Sequence, residues 1–129
     1  MGLVLDTSAY SAGERNDPAV RQLISVADQL ILPIIVIGEL LFGFRNGNRL
    51  AENERLLKRF ITNPRVDVVL IDKSIAEQYA QVKYNQQISG YNVADNDLWI
   101  AAVCLSLQQP LLTLDTDFEH IAGLDLLAL

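Results

Sequence analysis

The 129-residue sequence has a single cysteine, Cys104, and a single histidine, His120. One cysteine excludes an internal disulfide, and its place in the apolar stretch from Trp99 to Leu107 marks a buried thiol rather than a reactive one. One histidine gives no support to a paired-imidazole nuclease, a zinc protease or a Ser-His-Asp hydrolase. No apolar run reaches the ~18–20 residues that a membrane span needs. The N-terminus lacks the basic stretch and small-residue cleavage site of a signal peptide, so a cytoplasmic protein is expected. A glycine-rich phosphate loop is also missing, which excludes a P-loop nucleotide binder.

Cations are absent from the end of the chain. All ten Lys and Arg lie in residues 1–83, where ten Asp and Glu balance them. Residues 84–129 hold Asp95, Asp97, Asp115, Asp117, Glu119 and Asp125 with no Lys or Arg, and so carry the whole net charge of −6. Acidic tails are usually disordered and poor in apolar residues. This one is rich in Leu, Ile, Ala and Val, so it folds, and its acids need some partner other than a local cation.

The apolar half of the composition is distributed as short runs alternating with helical periodicity. Strands are predicted at Leu3–Leu5, Leu30–Leu32, Val66–Ile71, Leu111–Leu114 and Leu124–Leu127. Asp17-Pro18 opens a helix with Val20, Leu23, Ile24 and Ala27 on one face. Pro33 starts another through Phe44, Asn46-Gly47 marks a turn, and Arg49–Ile61 is amphipathic. Ser74-x-x-Glu77 is a capping box for a helix to about Gln87. Asp95 is the expected cap of a deeply buried helix to Leu107. The prediction is an α/β fold, one domain over residues 1–129. It is a three-layer sandwich with a central, mostly parallel sheet of four to five strands flanked by helices.

Ligands of such sheets bind beyond the carboxyl ends of the strands. Asp6 follows the first strand, and Asp115, with Asp117 two positions on, follows the fourth. Each could simply cap the next helix. Glu39 lies in the otherwise apolar stretch Ile34 to Phe42, and its i±3 and i±4 neighbours offer no ion-pair partner. A buried, unpaired carboxylate would cost several kcal/mol or stay protonated; a long-range salt bridge to Arg45 or simple exposure are the alternatives. Asp97 stands in the first turn of the helix that Asp95 is expected to cap. If these acids converge, they repel one another unless protons or cations intervene. All-oxygen sites suit hard cations such as Mg²⁺ and Mn²⁺, and such ions can drive phosphodiester hydrolysis.

Four segments carry a resemblance. Leu5-Asp6-Thr7-Ser8, Gly38-Glu39-Leu40-Leu41-Phe42-Gly43, Asn96-Asp97-Leu98-Trp99-Ile100-Ala101-Ala102 and Leu112-Thr113-Leu114-Asp115-Thr116-Asp117-Phe118 look like the signatures of PIN-domain ribonucleases. Their order and the chain length resemble the VapC toxins of VapBC toxin–antitoxin pairs. The resemblance implies that Asp6, Glu39, Asp97 and Asp115 bind Mg²⁺ or Mn²⁺, one or more of them positioning or deprotonating the attacking water. It makes Asp117 an auxiliary acid and Thr113 and Ser8 hydrogen-bonding residues of the site, and it leaves open whether Asp95 shares the role of Asp97. It further implies an RNA substrate, commonly structured RNA such as tRNA. A homodimer and a VapB-like antitoxin able to place a basic side chain in the acidic pocket are implied as well.

Arg45 and Arg49, flanking the Asn46-Gly47 turn, are candidates for phosphate contact. Arg55, Lys58, Arg59 and Arg65 read better as a solvated helix face, with Glu54 and Lys58 an i,i+4 pair. Asp72 reads as structural, and Trp99, Phe42 and Phe44 as core or dimer-interface residues. A haloacid-dehalogenase-type phosphatase would want an acid where Ser8 stands, and a receiver domain would want a lysine beyond Lys83. A structure-specific DNA nuclease and a catalytically silent regulatory module of the same fold remain as alternatives.

Overall fold

The computed structural model describes residues 2–129. In chain order it runs β1 (Gly2–Leu5), α1 (Thr7–Glu14), α2 (Pro18–Val26), β2 (Gln29–Pro33), α3 (Ile34–Arg45) and α4 (Leu50–Ile61). It continues with β3 (Val66–Val69), α5 (Lys73–Ser89), α6 (Asp95–Leu107), β4 (Leu111–Leu112) and a 3₁₀ turn, Thr116–His120. All strand pairs are parallel, in the order β3-β2-β1-β4. Leu3 pairs with Leu30, Leu30 with Val66, and Val4 with Leu111.

This order decides where a site can form. The chain steps from β1 to β2 to β3 in one direction, then returns past β1 to lay β4 on its other side. Right-handed crossovers put the helices of the outward steps on one face and those of the return on the other. With both faces covered, the central strand must be apolar throughout. Leu3, Val4 and Leu5 are all fully buried, each contributing roughly 1.5–3 kcal/mol. Leaving β1 the chain turns one way, and leaving β4 the other. Their carboxyl ends therefore flank a crevice, the place where open α/β sheets bind ligands.

Local chemistry explains several element boundaries. Asp17 accepts the Val20 amide at 3.1 Å, with Pro18 at the first helical position, as expected for α2. The open end of α2 is held by Arg65, whose guanidinium donates to the carbonyls of Ile24 (2.7 Å) and Ala27 (2.5 Å). Arg65 is thus a structural cation, satisfying carbonyls that a helix end leaves without partners.

Several expectations are corrected. The cap of α5 is Asp72, which accepts the Ile75 amide at 2.9 Å, so Ser74-x-x-Glu77 is not the box that starts it. The cap residue of α6 is Ala94, and Asp95 falls inside the first turn. Pro33 ends β2 and α3 starts one residue later. Strand β3 stops at Val69 and β4 at Leu112. The expected strand Leu124–Leu127 is reduced to one parallel bridge, Leu111 to Leu126. Asp6 caps α1, the helix weighed for it above, but the sequence gives that helix no bounds: at eight residues, TSAYSAGE, it has too few turns to display an apolar period. Phe42 is 68 % exposed and so is no core residue. Among the described residues, no helix is long and apolar enough to cross a membrane.

Candidate active site

Asp6 is the first residue past β1, only 4 % exposed. Its Oδ1 accepts the Ala9 amide at 2.8 Å, which makes it the cap of α1, and also the Ser8 hydroxyl at 2.7 Å. Its Oδ2 accepts the Thr113 hydroxyl. Burial still wins: desolvation raises its pKa above the usual carboxylate value despite these three donors, and the charge of Asp115 pushes the same way.

The two hydroxyls also tie the end of β1 to the loop after β4. Ser8 Oγ accepts the Leu114 amide at 3.0 Å, and Thr113 Oγ1 accepts the Asp115 amide at 3.0 Å. Each hydroxyl donates to Asp6 and accepts from that loop, so the loop is registered on the Asp6 carboxylate. Asp115 in turn accepts the Asp117 amide at 2.9 Å, capping the 3₁₀ turn and aiming its first residues at the crevice.

Asp97, in the first turn of α6, completes the group. Oxygens of Asp97, Asp115 and Asp117 all lie within 4.8 Å of one another. No side-chain cation joins them in an ion pair among the described residues. Asp97 accordingly has its pKa pushed up to about 6, first by burial and then by the charges of Asp115, Glu39, Asp6 and Asp117. Asp6 and Glu39 are thus close enough to be felt at Asp97, although they fall outside the tight trio.

Glu39 faces the same place from α3. It accepts the Thr7 hydroxyl at 2.8 Å and the Asn96 side-chain amide at 3.4 Å. No ion pair to Arg45 forms among the described residues; neutral donors hold the carboxylate instead. Thr7 and Asn96 were not singled out from the sequence, though each sits next to a candidate acid, Asp6 and Asp97.

Asp95 has a different environment from Asp97, two residues away. It accepts the Tyr79 hydroxyl at 2.5 Å and the Lys83 ammonium at 3.1 Å, and these bonds hold its pKa below the usual value. Tyr79 also stacks on Trp99 with ring centroids 3.7 Å apart. Asp95 therefore belongs to an α5–α6 contact, and of the two acids it is Asp97 that lies with Asp115 and Asp117. Arg45 closes α3 and Arg49 precedes α4, both exposed. Neither makes an ion pair with the carboxylates among the described residues.

What the arrangement can do follows from its donors. A trio of carboxylates offers oxygen only, with no thiol or imidazole, and the two further acids increase the local negative charge. That set fits a hard divalent cation, and the raised proton affinity of Asp97, set first by burial and then by the neighbouring carboxylates, is a cost that such an ion would offset.

Comparison with known proteins places the fold. The PIN domain family model matches residues 3–124. "Ribonuclease VapC" of Rickettsia bellii is 34 % identical over 134 aligned residues, covering 98 % of this chain and 96 % of that protein. The structure of VapBC-1 from nontypeable Haemophilus influenzae matches with TM-score 0.86 and 26 % identity, covering 98 % of this chain and 97 % of the other. A member of the VapBC family of toxin-antitoxin systems, VapBC-5 from Mycobacterium tuberculosis, gives TM-score 0.76 and 28 % identity, covering 96 % and 93 %. On the extent of these matches, the chain belongs to the PIN-domain family.

Proposed function

We propose that this chain, one PIN domain over residues 1–129, is a Mg²⁺- or Mn²⁺-dependent endoribonuclease and the toxin of a type II toxin–antitoxin pair. The observation that carries the reading is the Asp97–Asp115–Asp117 trio in the crevice between β1 and β4, flanked by Asp6 and Glu39. The relatives named ribonuclease VapC and the VapBC structures support the same conclusion.

In the mechanism, Asp97, Asp115 and Asp117 would hold the cation, with Asp6 supporting them from the end of β1. A bound divalent ion would neutralise the acidic crevice, stabilise charge on the phosphoryl oxygens and make water more acidic. Glu39, held by Thr7 and Asn96 rather than by a cation, is free to orient the attacking water and accept its proton. Ser8 and Thr113 keep Asp6 ionisable by donating to it. Arg45 and Arg49 are suited to contact RNA phosphates away from the scissile bond. The net charge of −6 opposes broad nucleic-acid binding, so such contacts must be local.

A VapB-like antitoxin would be the natural inhibitor, because a basic side chain entering the crevice would meet unpaired carboxylates. The exposed Leu41 and Phe42 of α3 are suited to a homodimer contact. A substrate of cellular RNA, tRNA included, fits a protein working in the cytoplasm.

The test is incubation of the purified protein with RNA and with DNA of the same sequence, in Mn²⁺, Mg²⁺ or chelator. RNA cleavage that requires the ion and disappears in Asp97→Asn supports the proposal. Cleavage that persists in chelator overturns the metal requirement, and cleavage of DNA alone favours a DNA nuclease.

A further inference from the structure

Among the described residues, one neutral donor reaches the trio from outside the acidic segments. Tyr91, in the connection between α5 and α6, donates its phenol to Asp117 Oδ1 at 3.3 Å. Three observations show how this side chain is delivered. Helix α5 ends on Gly90 in the left-handed conformation, φ +75°, which reverses the chain directly before Tyr91 at a backbone angle that suits glycine. The Tyr91 ring then stacks on His120, with centroids 3.5 Å apart and planes 16° from parallel. His120 is itself fixed through its backbone, because its carbonyl accepts the side-chain amide of the buried Gln86 at 2.9 Å.

Gln86, Tyr91 and His120 thus form a brace from α5 across the outside of the 3₁₀ turn that carries Asp117. Its aromatic members are exposed, Tyr91 at 38 %, so the pair adds little to the core. What it does add is an O–H donor to a carboxylate that has two others within 4.8 Å.

We propose that Tyr91, seated on His120, is a positioning residue that fixes the Asp117 carboxylate for cation binding. This inference rests on the nuclease reading above for its cation. Hydrogen bonds that orient a metal-binding carboxylate typically change affinity or activity by ~10–100-fold when removed, and an exposed 3.3 Å bond belongs at about the low end.

The test is titration of Mn²⁺ into the whole protein by calorimetry, alongside melting temperatures in chelator. Tyr91→Phe keeps the stack and removes only the donor. It is expected to bind Mn²⁺ roughly tenfold more weakly, with an unchanged melting temperature. His120→Phe, which retains an aromatic seat, should stay close to the parent, whereas His120→Ala should weaken binding as Tyr91→Phe does. Where RNA cleavage is measured, the loss should appear in kcat at fixed Mn²⁺ and be recovered by adding more of the ion. Parent-like Mn²⁺ affinity in Tyr91→Phe overturns the positioning role and leaves the nuclease reading intact. Absence of Mn²⁺ binding by the unmodified protein overturns both.

Discussion

Thr113 donates its hydroxyl to Asp6 across 107 residues of sequence and accepts the amide of Asp115 with the same oxygen. One atom therefore both opposes the burial-driven rise in the proton affinity of the acid after β1 and fixes the path of the loop that follows β4. Removing it should be felt as stability as well as chemistry. Thr113→Val is expected to destabilise the chain by about 1.5–3 kcal/mol, the range for hydrogen bonds to charged groups. Urea unfolding measures this, and the loss should shrink in an Asp6→Asn background, where the acceptor is uncharged.

Asp97 should make the protein's stability fall as pH rises when no divalent ion is present. Its folded-state pKa is about 6 against an ordinary 3.8, so the folded chain holds the proton more tightly than the unfolded one. That contribution is complete below 3.8 and is lost as pH rises through about 6. Cation binding should have the opposite slope, strengthening as pH rises through the same region because the proton must leave first. Melting curves and Mn²⁺ titrations across this range check both signs. Asp97→Asn should flatten the first and abolish the second.

Neutralising one acid should cost activity without costing the fold. Asp97→Asn and Asp115→Asn are expected to lose RNA cleavage while melting at or above the parent temperature in chelator, since repulsion is relieved. Melting well below the parent would show that these acids are structural.

Asp95 provides the matched control. Because it pairs with Tyr79 and Lys83 on the α5–α6 contact, Asp95→Asn should lower thermal stability slightly and leave Mn²⁺ affinity unchanged. A loss of Mn²⁺ affinity equal to that of Asp97→Asn would place Asp95 in the site.

Phe118 links the core to the acids. It is fully buried and sits in the turn that starts with Asp115 and Asp117. Phe118→Ala should cost about 3–5 kcal/mol and also weaken Mn²⁺ binding, as its turn loses its anchor. Calorimetry of the folded variant at low temperature separates the two effects.

The contrast between legible and illegible features has a physical basis. Strand β1 and Asp6 could be read because a strand buried on both faces is a continuous apolar run that ends abruptly at the sheet's carboxyl edge. Glu39 could be read because a carboxylate in an apolar helix lacks local partners. The caps were harder, since Ala94 and Asp95, or Asp72 and Ser74, compete within one or two residues and only backbone geometry decides between them. Asp117 joining Asp97 and Asp115 in the trio depends on how a short 3₁₀ turn points, and Tyr91 reaches it only because α5 ends on a left-handed glycine. Neither leaves a periodic trace. Thr7 and Asn96 were hidden for a simpler reason: their partner is Glu39, 32 and 57 positions away.

The strand order has a consequence for synthesis. Asp6 leaves the ribosome more than a hundred residues ahead of β4 and the acids after it, which pair beside β1 in the folded chain. A growing chain that has not yet released residues 111–117 has only the early part of its crevice. The activity proposed above would thus be withheld from the nascent polypeptide until the segment carrying β4 docks beside β1, by connectivity alone.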